Sequence, residues 1–200
     1  MTTPENTPPR APAKRPSPAR EKLLDAATRL FYEEGIHSVG VDRIIEEAGV
    51  TRATLYKQFA GKENLVLAYL QGEDAAIRGL FDGALQATSD PQQLLELTIE
   101  GVAADVRERH TRGCPFINAA AEFPDGSGPV RGLIDEHRSW FRGVLEQVAA
   151  GAGLREPRDV AASLVLLRDA ALVGGYLDGQ DRAADAFART ARSIVAAHRP

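Results

Sequence analysis

The chain has 200 residues, 44% of them hydrophobic, enough for one or two small domains with a real core. Its one cysteine, Cys114, excludes an intrachain disulfide, and no uninterrupted apolar run reaches the roughly 18 residues a membrane span needs. The formal net charge of −4 looks wrong for a nucleic-acid binder, yet the charge is uneven: residues 1–65 carry 10 Lys+Arg against 9 Asp+Glu, and residues 66–200 carry 14 against 19.

All four lysines (Lys14, Lys22, Lys57, Lys62) fall in the first third, so that part can present a local basic face. The N-terminus lacks the apolar segment of a secretory signal, and together with the cysteine usage this predicts a reducing, cytoplasmic compartment.

Residues 1–19 read as a disordered basic arm. Residues 1–20 hold six of the twelve prolines and a net charge of +3, a composition that cannot bury a core. Such an arm is a solvated tail, or it touches phosphates or a minor groove beside the folded part.

Helical periodicity then runs through the rest. Leu23, Ala26, Ala27, Leu30 and Phe31 form a first apolar stripe, ended by Gly35. Val41, Ile44, Ile45 and Ala48 form a second, stopped by Gly49. A short third helix follows with Thr51 placed to cap it, and a fourth spans Lys62 to about Ala87, softened by Gly72, Gly79 and Gly83. Ser89-Asp90-Pro91 starts a fifth that should reach about Arg109. A short sixth follows Cys114-Pro115 and ends near Phe123-Pro124-Asp125-Gly126. Gly128-Pro129 opens a seventh to about Ala150, Pro157 an eighth to about Asp178, and Asp181 the last. The prediction is all-α, about nine helices with short connections.

The third helix is informative because its two sides differ. Leu55 and Phe59 share one side; Ala53, Thr54, Tyr56 and Lys57 lie on the other, with Arg52 in the first turn. A helix of about two turns is not stable alone, so the apolar edge must be held by its neighbours. The opposite edge can then enter a groove. Arg and Lys suit phosphates or guanine edges, Thr offers a hydroxyl and a methyl, and small Ala53 permits close approach. Helix, tight turn at Gly49 and second helix form a helix-turn-helix arrangement. A helical hairpin with solvated cations would share the pattern.

The spaced positions Leu24-x-Ala26-Ala27-x-x-Leu30-Phe31-x-x-x-Gly35, Val41-x-x-Ile44, and Ala48-Gly49-Val50-Thr51-x-x-Thr54-Leu55-Tyr56-x-x-Phe59-x-x-Lys62-Glu63-x-Leu65 resemble the tetracycline-repressor (TetR) family of bacterial transcription regulators. The resemblance covers about residues 20–68. It implies a DNA-binding domain (20–66) joined to a ligand-binding and dimerisation domain (67–200). Carried over by position, Thr51, Arg52, Ala53 and Thr54 fall at the cap and base-reading positions, Tyr56 and Lys57 at phosphate positions, and Lys62 at a phosphate-contact lysine. Val41 and Arg43 are further contacts to the DNA backbone. Ile45 stands where many members have a small Ala, and a larger residue there should push the third helix outward or change its tilt.

The C-terminal part says more about architecture than chemistry. The resemblance implies an effector cavity, with Cys114, Phe116, Ile117, Ala120, Phe123, His137, Trp140 and Phe141 as candidates for its lining, although aromatic residues at helical spacing also serve as core. It further implies a homodimer through the last two helices, with Leu164, Leu167, Ala171, Tyr176, Phe187 and Ile194 as interface candidates. His110 and Cys114 are four apart, but Gly113 and Pro115 break the helix between them, so no metal site is expected. A nucleophile pair of Cys114 with His110 or His137 lacks an orienting group; no catalytic residue, nucleotide fingerprint or cofactor is predicted.

The reading is therefore a ligand-responsive regulator, a repressor, binding a palindromic double-stranded operator as a homodimer and released by a small molecule. A helical enzyme with an attached DNA-binding domain and an effector-less architectural DNA-binding protein are the rival classes.

Overall fold

The computed structural model describes residues 17–200, so the expected arm lies outside the described residues except for its last three. Those three are not arm. The Ser17 hydroxyl caps α1 (Pro18–Glu34), accepting from the Arg20 N–H at 3.2 Å, and Pro18 and Ala19 form the first helical turn.

Leu23, Ala27, Leu30 and Phe31 of α1 are buried, the face the periodicity marked. Against it pack α2 (Val41–Ala48) and α3 (Arg52–Phe59). Gly49 sits in the left-handed region at φ 61°, which lets the chain turn between them at no side-chain cost. The 26-residue α4 (Lys62–Ala87) leaves this unit and packs on α1, α5, α6 and α7. Its glycines soften it without serving as close-packing sites: a Cβ at Gly72, Gly79 or Gly83 would meet nothing within 4 Å.

The remaining helices are α5 (Pro91–Ala104), α6 (Pro115–Glu122), α7 (Pro129–Gly151), α8 (Pro157–Asp178) and α9 (Gln180–Ala197). Each of α5 to α8 begins on a proline, whose absent N–H would be unsatisfied there in any case. The fold is all-α among the described residues. α8 packs against both α7 and α9, and α9 closes against α5.

Two features depart from the sequence reading. The expected helix to Arg109 ends as a single π turn, Asp105–Arg109, with the His110 N–H bonded to the Asp105 carbonyl five residues back at 2.9 Å. A Cβ at Gly175 of α8 would meet Val106 of this turn at 3.3 Å, so the glycine lets α8 come close there. The second is hydropathy. α8 averages 1.5 over an 18-residue window, so by length and composition alone it could cross a membrane, although Arg168 and Asp169 divide its apolar run in two. In the fold 44% of that window is buried against neighbouring helices.

Candidate nucleic-acid interface and buried effector site

α3 presents two distinct sides. Leu55 and Phe59 are buried, while Arg52, Ala53, Tyr56 and Lys57 are exposed and Thr54 is half-buried. Tyr56 is 51% exposed, so its ring is not a packing element of the free protein. Thr51 caps the helix: its Oγ1 accepts from the Thr54 N–H at 3.2 Å and lies 2.8 Å from the Thr54 hydroxyl. Ile45 is half-buried at the core edge while Leu55 stays fully buried, so α3 remains seated despite the larger residue.

Not every expected contact residue is free. Arg52 pairs with Asp42 of α2. Arg43 pairs with Glu47 at 3.2 Å and Glu34 at 3.9 Å, and Val41 is half-buried against the core. Lys62, the first residue of α4, is half-buried with its ammonium 5.9 Å above the Phe31 ring; burial pulls it below the usual lysine range and the Glu122 charge opposes that. Arg20 adds a contact the sequence did not announce. Its guanidinium donates to the Gln58 carbonyl at 2.9 Å and lies 4.1 Å from the Phe59 ring centre, holding the end of α3 to α1.

This unit is joined to the rest of the molecule by polar contacts as well as by α4. The Arg112 N–H donates to the Tyr32 hydroxyl at 2.7 Å, the hydroxyl donates to the Gly113 carbonyl at 3.0 Å, and the Arg112 guanidinium donates to the Tyr32 carbonyl at 2.7 Å. Burial pushes Tyr32 up to about 12, so its hydroxyl keeps its proton. On the other side of α1, Glu122 receives the N–H groups of Ile36 and His37.

A cavity of about 50 Å³ lies among α4, α5, α7 and α8, walled mainly by apolar residues that include Ile77, Phe81, Val102 and Phe141. Its polar lining is Thr98, Asp105 and Arg168. Arg168 is 4% exposed; among the described residues its guanidinium bonds to the Cys114 sulfur at 3.4 Å and the Asp169 carboxylate at 3.3 Å, and lies 5.0 Å from the Phe141 ring centre. Behind Asp105, His110 is held between two carboxylates, with Nδ1 2.7 Å from Asp105 and Nε2 3.1 Å from Glu73. Burial alone would lower His110, but these two carboxylates outweigh it and its pKa is raised. Burial would raise Glu73, but His110 and Arg109 hold it below its ordinary value.

His137 behaves oppositely. Its Nδ1 lies 2.7 Å from Asp74 and its ring stacks on Phe116 at 3.7 Å. Burial, aided by the Arg168 and Arg78 charges, lowers its pKa against the pull of Asp74.

Two comparisons decide the family. Residues 23–69 match the family described as bacterial regulatory proteins, tetR family, and residues 92–191 match the tetracyclin repressor-like C-terminal domain. The HTH-type transcriptional regulator LmrA of Bacillus subtilis is 30% identical over 161 residues, covering 80% of this chain and 85% of that one. The chain belongs to the tetR family. The crystal structure of SCO4454, a TetR-family transcriptional regulator from Streptomyces coelicolor, superposes with a TM-score of 0.88 at 37% identity, covering 92% of this chain and 97% of that one. The HTH-type transcriptional repressor KstR2 of Rhodococcus jostii is 27% identical over 180 residues, 88% of each chain. The protein is thus a TetR-family helix-turn-helix transcriptional regulator.

Within this TetR-family framework the expected pocket residues separate. Cys114, Phe116, His137 and Phe141 surround a void of only about 10 Å³, so they are packed core with one polar corner. Of the eight candidates, Phe141 alone also lines the larger cavity. Trp140 borders an outer groove at the α4–α5 corner. Ile117 and Ala120 are half-buried beside the core, and Phe123 packs near the His37 ring at 5.0 Å; none of the three borders either space. The Cys114 sulfur is partnered by Arg168 and not by an imidazole, and no cluster of three metal-binding side chains occurs among the described residues. The sequence reading missed Glu73, Asp74, Asp105 and Arg168. A signal existed for one: Arg168-Asp169 are the sole charges between Asp159 and Asp178 in an otherwise apolar helix.

The six interface candidates on α8 and α9 differ in exposure. Leu164, Ala171 and Phe187 are largely buried within the protomer, Ala171 and Phe187 at the floor of a groove between α8 and α9. Leu167 and Ile194 are half-buried, and Tyr176 is exposed. The outward stripe of α8 also holds Leu166, Val173 and Leu177, with Leu166 at 69% and Leu177 at 70% exposed.

Proposed function

We propose that this regulator is a repressor that binds a two-fold operator as a homodimer and is released by a small molecule. The observation that carries the reading is the division of α3 into a buried edge, Leu55 and Phe59, and an exposed edge bearing Arg52, Ala53, Tyr56 and Lys57. On that edge Thr51 to Thr54 supply base contacts, with Tyr56, Lys57 and Lys62 on phosphates. Arg43 and Val41 are secondary backbone contacts, since Arg43 must first leave its carboxylates.

Residues 20–66 serve as the DNA-binding domain and 67–200 as the effector and dimerisation domain. The exposed apolar stripe Leu166, Val173, Leu177, with Tyr176 beside it, supports pairing of two copies through α8 and α9. A symmetric pair places two copies of α3 about 10 bp or a multiple apart on the duplex. The Rhodococcus relative is named a repressor, which supports the sign of regulation. The cytoplasm is the compartment this function requires.

A ligand in the α4–α8 cavity would favour a state in which the two α3 helices no longer match the operator. A coupling of about 1–3 kcal/mol suffices for release. Selection of bound sequences from a random duplex library, at near-physiological salt, tests the reading. An inverted repeat is expected; sequence-independent coating of the library would reject it in favour of an architectural role.

A further inference from the structure

We propose that the cavity among α4, α5, α7 and α8 takes a small amphipathic carboxylate, its anionic head on Arg168 and its apolar tail directed toward Phe81. This rests on the reading of that cavity as the effector site and adds the chemical class of the ligand.

With His110 protonated between its two carboxylates, the charges around the cavity do not balance. Arg78, Arg109, His110, Arg138 and Arg168 meet Glu73, Asp74, Asp105 and Asp169, which leaves one cation in excess. The excess falls on Arg168. Asp74 is taken by Arg78 at 2.6 Å, Glu73 by Arg109 and His110, and Asp105 by His110. Asp169 is closer to Arg138, at 2.9 Å, than to Arg168, at 3.3 Å. The other acceptor for Arg168 is a thiol sulfur, a weak one. Arg78, Arg109 and Arg138 each keep about a third of their side-chain surface in contact with solvent, whereas Arg168 keeps 5%. A guanidinium with five donors is therefore buried with two long hydrogen bonds and the Phe141 ring face at 5.0 Å, and it forms part of the cavity wall.

Asp105, the carboxylate of that wall, lies 2.7 Å from His110 and makes no ion pair with Arg168, on which its charge acts only at longer range. The rest of the wall is apolar apart from Thr98. A single negative charge matches the single excess cation, and the planar guanidinium fork suits a carboxylate in two-point contact. A phosphate monoester brings a second charge that nothing in the lining compensates. Phe81 also borders the outer groove of about 570 Å³ at the α4–α5 corner, so a tail longer than the inner cavity has a path outward past that ring.

The test uses the full chain and four probes with one tail: octanoate, octanol, octylamine and octyl phosphate, followed by calorimetric titration and thermal unfolding. Octanoate should bind about tenfold tighter than octanol, about 1.4 kcal/mol, and tighter than the amine and the phosphate. Arg168→Met should lose about that tenfold for octanoate and leave octanol unchanged, with Arg168→Lys between them. If Arg168→Met does not fold, the head-group ranking on the native chain and Arg168→Lys decide the matter. Equal binding of octanoate and octanol, a preference for the amine or the phosphate, or no binding by any probe would overturn the assignment. The selected operator supplies the second arm. Octanoate that binds through Arg168 but leaves operator affinity unchanged upholds the carboxylate site and rejects the effector reading; release of the operator upholds both.

Discussion

Glu122, the last residue of α6, accepts the backbone N–H of Ile36 at 2.8 Å and with its other oxygen that of His37 at 2.5 Å. Glu122 and Ile36 are 86 positions apart, and their contact ties the turn after α1 to α6 of the C-terminal part. A carboxylate on two backbone donors that no helix satisfies is a strong, directional clamp. Glu122→Ala should therefore lower stability by about 1.5–3 kcal/mol, and Glu122→Gln by less, read from urea unfolding. Operator affinity should fall with it, because the α1–α2 turn that positions the recognition helix loosens. A Glu122→Ala protein with native midpoint and native affinity would remove the clamp from the account.

Lys57 is exposed on α3 and Lys62 opens α4, and neither forms an ion pair with the described residues. Alanine at either position should weaken operator binding uniformly across sequences. Each should also reduce the slope of log affinity against log salt by about 0.9, the contribution of one phosphate contact. An unaltered slope would take that lysine off the phosphate list.

Arg52 is held by Asp42 in the free protein, and both partners are largely exposed. The pair adds little to stability, as exposed pairs do, but it must open before Arg52 reaches a base. Asp42→Asn should leave the unfolding midpoint near native and tighten DNA binding by a few-fold, most clearly at low salt. Weaker binding by this variant in a fluorescence titration would show that Asp42 positions Arg52 instead of restraining it.

His110 supplies a pH signature. Its folded pKa is raised above the ordinary 6.5 because Asp105 and Glu73 outweigh burial. Its contribution is therefore complete below about pH 6.5 and is lost as pH rises through the raised value. Stability of the native chain minus that of His110→Gln should be largest near about pH 6 and shrink toward about pH 9. His137, lowered in the fold, acts in the opposite sense, but it is present in both proteins and cancels in the difference. A gap that is flat or widens with pH would contradict the charged imidazolium.

Leu166 separates the two sides of α8. It is 69% exposed, whereas Leu164, two residues earlier, is 3% exposed. Leu166→Glu should convert the dimer to a folded monomer in sedimentation and weaken operator binding, since covering one leucine contributes about 1.5–3 kcal/mol. Leu164→Glu should instead unfold the chain. A Leu166→Glu protein that stays dimeric would place the interface elsewhere.

The helices and the recognition motif were legible in the sequence because their signals are local. Thr51, Asp90 and the prolines at 91, 115, 129 and 157 act on backbone groups within one turn, and Gly49 permits a left-handed turn whatever surrounds it. The split of α3 into Leu55 and Phe59 against Arg52 and Lys57 follows from helical period alone. Periodicity marks an apolar stripe but does not say which neighbour covers it, so Leu164 and Leu166 could be assigned to core and surface only once α7 and α9 were in place. The grip of Glu122 on Ile36, and the packing of Val106 in the π turn against Gly175, join residues far apart in the chain. So does the burial of Arg168 against Cys114, 54 positions away. Such pairings depend on where whole helices come to rest, and tertiary packing alone decided them.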